Sequence, residues 1–307
     1  MSDVPQPALF PADPTSYALL PVSGSGAPAA RARLLARAVP ARFVLTTRSA
    51  AALWGVETLP AGAVAATWPL ELAVPAPAPV PAGPRFPPPS CPAREAAAPP
   101  GSVVRYAHLP ARDVTELQGI RLTTAERTAF DCARRLPRYE ALSALDQFLA
   151  RGVSRESLLA RLPRSSGPGT AQAAALIAMA DPASGSPAES LVRGTFVDAG
   201  FPRPRCQLTA PPTAYRLDLG HPEYLVAAEY NGEAHHTGRE ARLRDSLRRR
   251  TLTDLGWRIL PVTKDFRTAP APYLDAWLHL LMAAGWNPTP QQLAHITARL
   301  TRLRHRR

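Results

Sequence analysis

The chain has 307 residues, 36 prolines and a formal net charge of +12. That length holds two or three domains with real cores, and the positive surplus points to a polyanionic partner without saying anything about fold. Three scattered cysteines, Cys91, Cys132 and Cys206, have no metal-ligand spacing and argue against a disulfide-built scaffold.

No apolar run approaches the roughly 18 residues a membrane span needs. The opening MSDVPQPALFPADP lacks the basic and apolar regions of a secretory signal. A reduced, cytoplasmic protein without membrane attachment is therefore expected. Lys264 is the single lysine, so every other basic residue is arginine. GC-rich coding accounts for much of that ratio, yet arginine's planar fork also suits phosphate.

Residues 1–28, rich in Pro, Gly, Ser and Ala, are expected to be mobile. A helical pattern begins at Ala29, with Leu34, Leu35 and Ala38 on one side. Phe43-Val44-Leu45 reads as a short strand. Thr46 or Thr47 then caps a helix over Arg48–Trp54, closed by Gly55. Two short helices and a tight connection suggest a helix-turn-helix unit over residues 29–74, with the strand Trp68–Val74 as its wing.

Residues 75–100 are dense in proline and favour extended backbone. The region 101–180 is mixed and helical. A strand at Val103–Tyr106 precedes a helix capped at Thr123 or Thr124 and running to Arg135. Pro137 breaks it. Leu142, Leu145 and Leu149 mark the next helix, and Ser154–Leu162 and Thr170–Ala180 are two more. Arg127 and Asp131, spaced i,i+4, form a structural pair.

The last module spans residues 184–285. Ser186-Pro187 opens a helix ended by Gly200. Strands are expected around Cys206–Leu208, Tyr215–Leu219, Leu225–Tyr230 and Trp257–Val262. A basic helix over Arg239–Leu255 buries Leu243, Leu247 and Leu255, and Pro272–Ala284 closes the module. Residues 286–307 form a basic tail.

A hairpin turning at Pro222-Glu223 would bring Asp218 opposite Glu229, since neighbouring strands lie about 5 Å apart. Two such carboxylates suit a hard divalent ion, Mg²⁺ or Mn²⁺. Glu189 supplies a third oxygen or merely completes a capping box with Ser186. His235 or His236 stands just past the third strand, placed to orient a water. Metal-bound water attacking a phosphodiester is the chemistry such a set would run. Arg242, Arg244, Arg248 and Arg249 on the basic helix either hold phosphates or form a solvated face.

These motifs, SPAES (Ser186–Ser190), YRLDLG (Tyr215–Gly220), VAAEYNGEAHH (Val226–His236), Arg244-Asp245 with Arg249, and LGWRILPVT (Leu255–Thr263), resemble the endonuclease-like domain related to the very-short-patch-repair mismatch endonuclease. That group belongs to the restriction-endonuclease-like, PD-(D/E)xK superfamily. The resemblance implies a mixed β-sheet flanked by helices, Mg²⁺ at Asp218 and Glu229, help from Glu189, and His236 as the catalytic histidine. It departs from the pattern at Asn231, where the superfamily places a lysine; asparagine cannot act as a base.

Upstream, ARFVLTTRSAAALWGVETLP (Ala41–Pro60) and LTTAERTAFDCARRL (Leu122–Leu136) resemble the AbiEi-type antitoxins of actinobacteria. This implies a DNA-binding winged helix with Thr47 and Arg48 leading the recognition helix, and a possible cognate toxin.

The fold expected is thus a multidomain α/β and α+β chain: winged helix-turn-helix, mixed helical middle, nuclease-like sheet. Two functions stay open. One is a metal-dependent DNA endonuclease or nickase targeted by the N-terminal module. The other is a catalytically inactive, antitoxin-like DNA-binding regulator. A protein-interaction or RNA-directed module is a third. No small-molecule cofactor is expected.

Overall fold

A computed structural model describes residues 40, 42–60, 62–64, 68–75, 102–231 and 239–305. The expected mobile segment 1–28, the helix beginning at Ala29, nearly all of the proline-rich segment 75–100, and His235 and His236 lie outside them. Two compact units fall within Met1–Pro182 and Ala183–Arg307.

The first unit centres on a five-stranded sheet in the order β3-β2-β1-β5-β4. Its strands are β1 (Val44–Leu45), β2 (Leu70–Pro75), β3 (Ser102–Ala107), β4 (Val114–Leu117) and β5 (Ile120–Thr123). β1 runs antiparallel to β2 and parallel to β5, β2 is parallel to β3, and β4 and β5 form an antiparallel pair. Gln118 and Gly119, both at positive φ, turn that last hairpin, the backbone a two-residue loop of this hand requires.

Helices follow: α1 (Thr47–Leu53), α2 (Ala125–Arg135), α3 (Arg138–Ala150), α4 (Arg155–Leu159) and α5 (Thr170–Met179). Thr124 caps α2 by accepting from the Arg127 N–H, and Ser154 caps α4 through the Ser157 N–H. Leu45, Leu72 and Leu122 from the central strands pack with Phe130, Leu142, Leu145, Phe148 and Leu176 into one core.

Much of the expected winged helix, residues 29–39, 41, 61 and 65–67, lies outside the described residues. α1 lies between two strands of the sheet and buries six of its seven residues. The small side chains Ala50 and Ala51 let α1 pack closely in the core.

The second unit has four strands in the order β6-β7-β8-β9: β6 (Arg205–Thr209), β7 (Arg216–His221), β8 (Val226–Tyr230) and β9 (Arg258–Val262). The first three are antiparallel, and β8 and β9 are parallel. That parallel step needs a crossover, which α7 (Arg239–Asp254) supplies. α6 (Pro187–Asp198), α8 (Ala271–Ala283) and α9 (Pro290–Arg304) complete the unit.

One face of the sheet packs Leu219, Val226, Ala228 and Val262 against Phe196, Trp277 and Leu281, with Phe196 stacked on Trp277 at 4.7 Å. The other packs Leu217 and Ala227 against Leu252 and Trp257. Two expectations need correction. Leu243 and Leu247 do not line the buried side of α7; Leu252 does. The supposed tail is largely helix α9, opened by a Thr289–Gln292 capping box and buried through Ile296 and Leu300.

Candidate carboxylate site

Three acidic side chains meet in the second unit, each placed by a different element. Ser186 starts α6 and accepts from the Glu189 N–H at 3.2 Å. The Glu189 carboxylate folds back over this turn. It accepts from Gly185 N at 2.8 Å, from the Ser186 hydroxyl at 3.1 Å and from Gln207 Nε2 at 2.8 Å. A Cβ at Gly185 would sit 2.8 Å from Gln207 Nε2 and 3.0 Å from a Glu189 oxygen, so a larger residue there would push those two side-chain ends aside.

Leu219 pairs with Ala228, and the same register sets Asp218 opposite Glu229. Asp218 accepts from the Tyr230 N–H at 2.9 Å. The strands' in-out alternation breaks at this rung. Leu208 and Leu217 pack on one side of the sheet, Cys206 and Leu219 on the other. Gln207, between Cys206 and Leu208, has φ +49°, a region that non-glycine residues seldom adopt. The irregular rung lifts Asp218 out of simple alternation and turns the Gln207 amide onto Glu189.

Burial raises the Asp218 pKa, the nearby charges of Glu189 and Glu229 raise it further, and the Tyr230 N–H and Arg248 oppose them. Glu229 has its own counter-ion. Arg248, from α7, donates Nη1 to Glu229 Oε2 at 2.9 Å and Nη2 to Glu229 Oε1. Nη2 also donates to the Arg216 carbonyl at 2.7 Å, and the guanidinium lies over the Tyr215 ring. Both Glu229 oxygens are thus occupied by one fork.

These residues do not fit a divalent cation as arranged. Both Glu229 oxygens are taken by Arg248, and the Glu189 carboxylate already accepts from three donors. Among the described residues, no group of three His, Cys, Asp or Glu side chains is placed to hold a metal.

Of the residues singled out from sequence, the structure brings Glu189, Asp218, Glu229 and Arg248 together. Arg248 is held as a counter-ion here, not offered to phosphate. Arg244 and Arg249 are exposed on α7. His236 and the side chain of Arg242 lie outside the described residues. Gln207 and Gly185, missed in the sequence, belong to the site.

Thr47 and Arg48, expected to lead a recognition helix, are both buried in the first unit. Arg48 is 7% exposed. It donates to Glu140 at 2.5 Å and to the Thr58 carbonyl, and its Nε stands 3.7 Å from Glu71. A side chain locked into buried acceptors cannot reach a base edge. The Arg127–Asp131 pair is present at 2.8 Å and extends through Asp113 to Arg161. It ties α2 to the approach to β4 and to the end of α4.

Residues 43–178 match the model of the AbiEi antitoxin C-terminal domain. The first unit is therefore similar to an antitoxin domain. Two curated relatives, uncharacterized proteins from Mycobacterium tuberculosis strains CDC 1551 / Oshkosh and ATCC 25618 / H37Rv, are each 34% identical over 154 residues. The match covers 47% of this chain and 56% of each relative, so the chain spans just over half their length. No solved structure matches the chain. No helix among the described residues is long and apolar enough to cross a membrane.

Proposed function

We propose that the protein is an antitoxin-type, DNA-binding transcriptional regulator whose C-terminal unit keeps a nuclease-like site closed. The observation that carries this reading is the Arg248 fork on both oxygens of Glu229. A divalent ion at that carboxylate would have to displace a guanidinium held by three hydrogen bonds. Asn231 stands where the superfamily has its lysine, so the base is lacking as well.

The antitoxin side of the reading is supported by the domain match over residues 43–178. The net charge of +12 suits a polyanion. A protein toxin is the partner this domain implies, and the cytoplasm is where such a regulator acts. Fluorescence anisotropy with a labelled duplex tests the reading. Binding is expected to be steeply salt-dependent, because arginine–phosphate contacts release counter-ions, and to persist in EDTA without Mg²⁺. Binding that requires Mg²⁺ or Mn²⁺ would count against it.

A second reading, a metal-dependent endonuclease, is favoured by one observation. Asp218, Glu189 and Glu229 lie close enough that the negative charge of each of the other two raises the Asp218 pKa, and such shifts concentrate at functional sites. It requires Arg248 to leave Glu229.

A further inference from the structure

Helix α9 is held to its unit along one side. Ile296 and Leu300 are buried there. The other side is a shallow strip open to solvent, lined by Leu293, Ala294, Thr297, Ala298, Thr301 and Arg302. Ala294, Thr297, Ala298 and Thr301 recur at helical spacing and share that face, and all four are exposed. Gln291 stands exposed at the strip's N-terminal border, and Arg302 flanks its C-terminal end.

The charge around the strip has one sign. From Ala276 to Arg307 the sequence has no Asp or Glu, while Arg299, Arg302, Arg304, Arg306 and Arg307 fall within it. Asp275 of α8, just before that stretch, is paired with Arg304 at 3.3 Å. The other basic helix, α7, instead mixes exposed Asp245 and Asp254 among its arginines.

Three covers suit the strip poorly. A protein laid on it would bury alanine and threonine methyls, and apolar gain scales with area. A helix lying in a membrane surface needs bulky Leu, Phe or Trp outward, whereas Leu293, at 37% exposure, is the one large exposed apolar side chain of α9 among the described residues. A second copy of α9 would set arginine against arginine. A polyanion has none of these faults, because phosphate contacts give affinity without apolar burial.

Shape then chooses among polyanions. The 15 residues of α9 make about 22 Å of helix. The major groove of DNA, about 12 Å wide, admits a helix, and small side chains let its backbone approach closely. The major groove of duplex RNA is too deep and narrow to be read this way. In the DNA groove Ala and Thr meet the thymine methyl, and Gln is a bidentate reader of adenine.

We propose that α9 enters the major groove of duplex DNA with Ala294, Thr297, Ala298 and Thr301 facing the base edges, Gln291 on adenine and Arg302 on a flanking phosphate. The ligand is a duplex rich in A·T pairs. This rests on the DNA-binding reading above and adds which surface meets the bases.

The test uses the full chain with a labelled A·T-rich duplex, the same duplex with uracil in place of thymine, and the RNA duplex of matching sequence. Uracil removes the methyl that thymine shows in the major groove. Wild type should bind the DNA, lose about fourfold in affinity for each methyl contact removed, and bind the RNA duplex weakly. Ala294→Trp/Ala298→Trp fills the strip without changing charge and should lower DNA affinity about tenfold or more at unchanged Tm. Should that variant unfold, the single exposed change Thr297→Glu should give the same loss. Arg302→Ala should reduce the salt slope by about one.

DNA binding that a folded tryptophan variant keeps overturns the role of α9 and leaves the DNA-binding reading standing. Equal affinity for thymine and uracil duplexes, or for DNA and RNA, does the same. A tryptophan variant that sediments at lower mass than wild type would make the strip a protein interface, and the proposal falls. Absence of any DNA binding by wild type sinks both readings together.

Discussion

The guanidinium of Arg248 grips both carboxylate oxygens of Glu229 while one of its nitrogens also holds the Arg216 carbonyl. A residue of the crossover helix thereby closes a site formed by the strands beneath it. The pair is partly sheltered, at 26% and 14% side-chain exposure, so its energy should lie between surface and buried limits. Single changes Arg248→Met and Glu229→Gln, with their double variant, should give a coupling energy of about 2 kcal/mol in urea denaturation. Additivity of the two single changes would show that the fork holds nothing in place.

Asp218 works against the fold at neutral pH. Its folded pKa is raised above 3.8, so the unfolded chain loses the proton first. Stability therefore declines as pH rises from about 3.8 through the folded value, and the penalty persists above it. Asp218→Asn should raise Tm at pH 7, because the amide oxygen still accepts from Tyr230 N. The gain should fade below pH 4. A lower Tm at pH 7 would show that Asp218 is paired more strongly than repelled.

His221 titrates in the opposite sense. It is buried between Tyr224 and Trp277, with Nδ1 3.3 Å from Glu223. Burial lowers its pKa, against the pull of Glu223. Its contribution to stability is complete above about pH 6.5, the unfolded value, and is lost as pH falls from there through the folded value. Wild type should lose Tm in that window, and His221→Phe should lack that step. Parallel Tm curves for the two proteins would contradict the assignment.

Arg48 separates structure from recognition. Arg48→Met leaves Glu71 without its close cation and should destabilise by about 3 kcal/mol. Calorimetry and DNA anisotropy together check it: Tm falls while affinity and salt slope stay as in wild type. A variant with native Tm and weakened DNA binding would restore Arg48 to a recognition role.

Much of the second unit was legible because local signals agreed. Ser186-Pro187 marked the start of α6, the apolar runs marked the strands, and Pro222-Glu223 marked a turn whose register sets Asp218 against Glu229. Helix phase was not legible on α7. Leu243 and Leu247 resembled a buried stripe, yet the inward side is fixed by Leu252 and by the reach of Arg248 to Glu229. No local pattern encodes that ion pair, which joins positions 19 residues apart.

In the first unit the short β1 and α1 carried the same residues a helix-turn-helix would. Only the long-range pairing of β1, Leu45 with Leu122 and Val44 with Ala73, shows that it belongs to a sheet. The β4–β5 hairpin does carry a signal, Gln118-Gly119 ahead of the alternating Ile120-Arg121-Leu122-Thr123. Thr289-Pro290 with Gln292 likewise announced α9, masked by the arginines that follow.

The most direct test is a plasmid nicking time course with Mg²⁺ or Mn²⁺, running wild type beside Asp218→Ala and Glu229→Ala, with DNA binding measured on the same samples. The account predicts bound but intact supercoiled plasmid for all three proteins. Nicking by wild type that disappears in both variants while DNA binding persists would contradict it and make the protein a nuclease.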